Sequence, residues 1–145
     1  MLVSIEVVRD RLSAMRVSPL LLVVACAASP NAASRLDRVP NGDWGGQHVR
    51  LTVDDTGGRI EFDCAHGRLG APLTLDGDGR FDVAGSLVSE GGPVPKDETG
   101  NARPARYRGR TDGQSMSLAV TLEGGQDAGT FSLVRGGRAR LVKCR

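Results

Sequence analysis

Aromatic side chains are scarce in this chain, with one Trp, one Tyr and three Phe among 145 residues. Any core must therefore be aliphatic and modest in size. An excess of one charge sign is also lacking. Lys and Arg number 19 against 17 Asp and Glu, for a formal net charge of +2. That balance is too mild to argue for nucleic acid, which demands a strongly basic face. The two signs are interspersed, as on an ordinary soluble surface. The apolar run from Val17 to Cys26 is too short to cross a bilayer as a helix, which takes about 20 residues. Histidine (2) and cysteine (3) are few as well.

Those shortages remove most catalytic chemistry. Cys64 and His66 supply two ligands on one short run, with no second pair for a four-ligand zinc site. A disulfide cysteine beside a turn histidine is the plainer account. Asp76-Gly-Asp-Gly-Arg-Phe-Asp82 starts like a calcium loop. Its fifth position is Arg80 and its twelfth is Leu87, where oxygen ligands are needed. Gly113-Gln-Ser115 lacks the final glycine of a nucleophile elbow. Neither His48 nor His66 has an evident Ser and Asp partner. The glycine-rich stretches open no helix, so a phosphate-cradling loop is not supported. The expectation is a protein that is not an enzyme and carries no metal and no cofactor.

What is present begins with an export signature. Arg9, Arg11 and Arg16 precede Val17-Ser-Pro-Leu-Leu-Leu-Val-Val-Ala-Cys26. A positive stretch followed by about 7–15 apolar residues describes a secretory signal. Its final residues, Val23-Val24-Ala25-Cys26, resemble a bacterial lipobox, which implies lipidation at Cys26. By the same resemblance, Ala27 after the cysteine implies outer-membrane sorting where the host has one. The leader is long and holds Glu6 and Asp10, and Met15 is an alternative start. Cleavage around Ala25-Cys26-Ala27 to give a soluble periplasmic or secreted protein is the rival reading. The expected organisation is a signal peptide over 1–25, a small-residue tether over 26–43 and a domain over 44–145.

From Trp44 onward there is no helical period. Val49, Leu51 and Val53 alternate with polar residues, as do Ile60, Phe62 and Cys64. Further runs follow at Leu69–Leu75, Phe81–Leu87, Ala105–Gly109, Met116–Leu122, Phe131–Leu133 and Ala139–Leu141. Gly-, Asp- and Pro-bearing turns separate them. These eight short runs predict an all-β domain, a small eight-stranded antiparallel up-and-down barrel, with a two-sheet sandwich as the alternative. Gly85 and Gly109 fall on inner faces, where they permit strand bending or make room for a neighbour.

Assigning Cys26 to the lipid leaves Cys64 and Cys144 as an even pair, predicted to form a disulfide in an oxidising compartment. Arg103, Arg106, Arg108 and Arg110 surround Tyr107 and form a candidate interaction stripe toward anionic sugar, lipid headgroup or acidic protein. A solvated outer strand face is the alternative. The Ser89–Pro104 connection is long enough to cover a barrel mouth.

Trp44-Gly-Gly, Glu61-Phe-Asp-Cys-Ala-His-Gly67, Gly91-Gly-Pro-Val94, Ala105-Arg-Tyr-Arg-Gly109 and Lys143-Cys144 resemble a group of small bacterial envelope lipoproteins with a single-disulfide β-domain. The resemblance covers residues 44–144 and brings no activity with it. More loosely, the architecture is similar to the membrane-bound inhibitors of c-type lysozyme. Their inhibitory loop carries a Ser-Gly-x-Arg-Tyr-like segment, whereas this chain has Ala105-Arg106-Tyr107. The leading expectation is a lipid-anchored binding or structural module, with its domain in the periplasm and an envelope protein or glycan as partner. The alternatives are a carrier of a small apolar ligand in the barrel, or an inhibitor of a cell-wall hydrolase acting through residues 89–110.

Overall fold

The computed structural model describes residues 35–91 and 101–144. The signal segment, Cys26 and most of the Ser89–Pro104 connection lie outside the described residues. Eight antiparallel strands close a barrel in chain order. They are β1 (Gly42–Gly46), β2 (Val49–Asp54), β3 (Gly57–Phe62), β4 (Ala65–Leu69), β5 (Arg80–Ser89), β6 (Ala102–Thr111), β7 (Ser115–Leu122) and β8 (Asp127–Arg135). β1 pairs with β8, so the sheet closes on itself and the sandwich alternative is excluded.

The strands follow the period-2 pattern. β2 alternates buried and exposed from end to end, and β7 buries Met116, Leu118, Val120 and Leu122. Three of the connecting turns share one device. Asp54 accepts from the Thr56 N–H, Asp76 from the Asp78 and Arg80 N–H groups, and Asp112 from Gln114 and Ser115. An aspartate that bonds the backbone two residues on stabilises a turn locally. For Asp54 the Thr56 hydroxyl and then its amide, and for Asp76 and Asp112 the backbone amides, hold the carboxyl below the usual carboxylate range.

The strand set differs from the expected one at both ends. Gly42–Gly46 is a strand, although its glycines hide the alternation around Trp44. Ala139–Leu141 is no strand and makes only an isolated parallel bridge, Gln47 to Arg140. Leu69 ends β4, and Ala71 is exposed. Cys64 is not on an inward face. It lies exposed in the turn after β3. Residues 37–43, expected as the end of a tether, belong to the domain. The Val39 N–H donates to Leu73 O and the Leu75 N–H to Asp37 O, both at 2.9 Å. Val39, Leu73 and Leu75 are buried, so these two segments cross and cover the mouth at the start of β1 (the upper mouth).

Trp44, Leu51, Ile60, Tyr107, Leu118 and Leu133 are essentially inaccessible and fill the interior. Tyr107 lies along its wall, over β5 and onto β4. Its hydroxyl donates to the Ser86 carbonyl at 2.7 Å. A Cβ at Gly85 would stand 2.9 Å from the Tyr107 ring, and one at Gly67 would collide with its hydroxyl. Likewise a Cβ at Gly109 would meet the Phe81 ring. The inner-face glycines thus make room for aromatic neighbours.

The closing seam is short, because β1 meets β8 at only three register positions. The tail after β8 turns back and runs down the outside of β1. The Gly136 N–H donates to Asp43 O at 2.7 Å, the Arg140 N–H to Gly46 O at 3.0 Å, and the His48 N–H to Arg140 O at 2.8 Å. A Cβ at Gly45 would strike the Gly137 carbonyl, so only glycine lets this strap lie flat. Cys144 then bonds Cys64 at a sequence separation of 80. The disulfide therefore ties the β3–β4 turn to the tail beyond the last strand.

Candidate interaction face

The outer face of β6 carries Arg106, Arg108 and Arg110, as the alternation predicts. Register adds what the sequence could not. Arg108 lies opposite Asp82 on β5, and Arg110 lies opposite Arg80. Arg106 Nε donates to Asp82 Oδ1 at 2.6 Å, and Arg108 Nε to Oδ2 at 3.2 Å. The hydrogen bond from Arg106 holds the Asp82 carboxyl below its usual range and in turn raises the guanidinium. One carboxylate thus bridges two arginines.

Arg103 does not share that stripe. It is out of phase with the other three and sits where β6 begins, with its guanidinium donating to Gln126 Oε1 at 3.3 Å. Tyr107 is fully buried and presents nothing to the surface. Burial pushes its hydroxyl pKa upward, so it stays protonated.

Three further arginines belong to the face, Arg59, Arg68 and Arg80. Arg59 on β3 stands directly opposite Arg68 on β4. The row continues through Ser86 and Pro104. Their outward parity was the available signal, but the pairing that groups them depends on register. Glu61 and Asp82 are the carboxylates on this outer face of β3–β6. Among the described residues, Arg106 and Arg108 are the arginines held in ion pairs.

The lower mouth holds two histidine–carboxylate pairs. His48 Nδ1 meets Asp63 Oδ2 at 2.5 Å, and His66 Nδ1 meets Glu90 Oε1 at 2.6 Å. Lys143 joins Glu90 at 3.1 Å. Asp63 also accepts from the Val142 N–H at 2.8 Å. These contacts fasten the strap near the disulfide. Among the described residues no group of three His, Cys, Asp or Glu side chains is placed to hold a metal. An open apolar recess of about 250 Å³ lies beside them, with the Phe62 and Phe131 rings packed at 4.8 Å between centroids.

No protein-family model, curated protein or solved structure matches this chain.

Proposed function

We propose that this chain is a non-enzymatic cell-envelope lipoprotein, anchored by lipid at Cys26, whose barrel is a binding or structural module. The observation that carries the reading is the Cys64–Cys144 bond. Disulfides of this structural kind belong to oxidising compartments, and the leader ending at Cys26 supplies the route to one. The likeness to small envelope lipoproteins over residues 44–144 points the same way. A filled interior favours action through the outer surface rather than through a bound ligand. His48 and His66 hydrogen-bond carboxylates rather than a nucleophile, which favours a structural duty over catalysis.

The test is the mass of the protein isolated from its own membranes, with and without reductant. An acylated chain starting at Cys26, gaining two hydrogens on reduction, is the expected result. A chain starting at Met1 with free thiols overturns the proposal. So does hydrolytic turnover by the purified protein that disappears on changing one side chain.

A further inference from the structure

The cationic face has an arrangement that costs the fold and lacks a use within it. Arg59 opposes Arg68, and Arg80 opposes Arg110, in direct cross-strand register. Like charges placed opposite one another destabilise a sheet. Asp82 neutralises part of the group through Arg106 and Arg108. Asp76 lies at the edge, near Arg80 and Arg110, and is occupied by turn amides. Glu61, His66 and Val88 occupy the lower part of this outer face. Nearer the arginines, Ala84, Ser86, Ala102 and Pro104 project little.

The chemistry narrows the partner. A neutral glycan is held by stacking on exposed aromatics, and this face has none. A protein interface is anchored by large buried side chains at its centre. Among the described residues the exposed large apolar ones are Leu36, Val134 and Val142, none of them on β3–β6. What remains is a broad set of guanidinium forks, which suit phosphate. Arg59, Arg68, Arg80 and Arg110 each lie within two residues of the upper end of their strand, so the set gathers around the mouth where Arg35 enters.

Chain length supplies the second argument. Arg35 enters at the upper mouth, where β5 begins with Arg80 and β6 ends beside Arg110. Cys26 precedes Arg35 by nine residues, at most about 30 Å of extended chain. An anchor at Cys26 would therefore keep this face within reach of the bilayer it is anchored in.

We infer that the outer face of β3–β6 docks by its upper end against anionic phospholipid headgroups, through Arg59, Arg68, Arg80 and Arg110, with Arg106 and Arg108 beside them. The inference rests on the envelope reading for its setting, but its test does not require lipidation. The full chain carrying Cys26→Ser is mixed with phosphatidylcholine vesicles, and separately with vesicles that also contain phosphatidylglycerol. The leader, with Arg9, Arg11 and Arg16, adds to both bindings and itself favours anionic lipid, so the face is read from the difference between the two variant sets. Binding is expected to favour the anionic vesicles and to weaken steeply with salt as the Debye length falls from about 30 to about 8 Å. Arg59→Gln, Arg68→Gln and Arg110→Gln together are expected to remove at least about tenfold of that preference. Arg135→Gln, Arg138→Gln and Arg140→Gln remove the same charge from β8 and the strap and are expected to keep it. Because the first set relieves both opposed pairs, its thermal midpoint should not fall. Salt titration of the two variant sets side by side gives a second readout, with the shallower salt dependence expected for the first set. No preference for anionic vesicles overturns the inference, and so does equal loss in the two variant sets. Face-dependent binding to dextran sulfate without vesicle binding also overturns it, in favour of a soluble polyanion.

Discussion

Tyr107 can lie flat along the inner wall because Gly67 and Gly85 lack side chains where its hydroxyl and ring pass. Its one hydrogen bond, to the Ser86 carbonyl, satisfies the buried hydroxyl. Tyr107→Phe is expected to cost about 1 kcal/mol, read as a shift in the urea midpoint at unchanged slope. Gly85→Ala forces a methyl into the Tyr107 ring and the Arg68 carbonyl, and overpacking of this kind costs about 1–3 kcal/mol. Asp63 has the opposite character, exposed but richly bonded. The Val142 N–H first, and the His48 hydrogen bond after it, hold its carboxyl below the usual range. A carboxyl lowered in the folded state stabilises above its unfolded value, about 4. That contribution is lost as pH falls through the lowered value. Below about pH 4 the strap should therefore loosen, with the Val142 and Cys144 amides exchanging faster while those of β5 and β6 stay protected. Asp63→Ala should give the same pattern at neutral pH. Unchanged exchange in both conditions would remove Asp63 from this role.

At the scale of elements, the seam is where the barrel is weakest and where the tail acts. β5 and β6 pair over nine positions, whereas β1 and β8 pair over three. The strap adds backbone hydrogen bonds along β1, and the disulfide holds the strap down. In the chain-entropy picture a loop of 80 residues corresponds to about 4–5 kcal/mol of denatured-state restriction. Cys64→Ser with Cys144→Ser is expected to lower stability by about 2–5 kcal/mol, with amide exchange rising first in β1 and β8. Uniform loss of protection around the barrel would show that the bond acts on the unfolded chain alone. The same element scale explains β1. Two glycines follow Trp44 because the strap needs Gly45 bare and the Ser132 carbonyl crowds Gly46.

For the whole molecule, one interior joins every strand. The buried set runs from Val39, before β1, to Leu133 in β8. No part of it can be withdrawn without opening the rest, so unfolding should be a single cooperative step. Trp44, the sole tryptophan, is fully buried and reports that step directly. Its fluorescence transition in urea is expected to coincide with the loss of far-UV circular dichroism. Separate midpoints would reveal an intermediate in which the β1–β8 seam has opened while β5–β7 persist. Charge is also distributed on this scale. Beside the β6 arginines the outer surface of β7 and β8 is uncharged at Ser117, Ala119, Thr130 and Ser132. A chain close to neutral overall thus gathers arginines on β3–β6, with a second, smaller group at Arg135, Arg138 and Arg140.

Alternation and turn chemistry are local, and they were legible in the chain. Val49-Leu51-Val53 and Met116–Leu122 show their inward faces by period alone. Asp54–Gly58, Asp76–Gly79 and Thr111–Gly113 show their turns, because aspartate and glycine act within a few residues. The eight-strand barrel and the Cys64–Cys144 pairing followed from those signals and from cysteine arithmetic. Gly42–Gly46 stayed hidden because a strand of glycines has no side-chain pattern. Ala139–Leu141 alternates like a strand but runs as a strap, since its hydrogen bonds go to the outside of β1. The grouping of Arg59, Arg68 and Arg80 with the β6 arginines came from tertiary structure alone. Outward parity is written in each strand, but which outward residues become neighbours is set by register between strands, and register is decided by how the whole sheet closes.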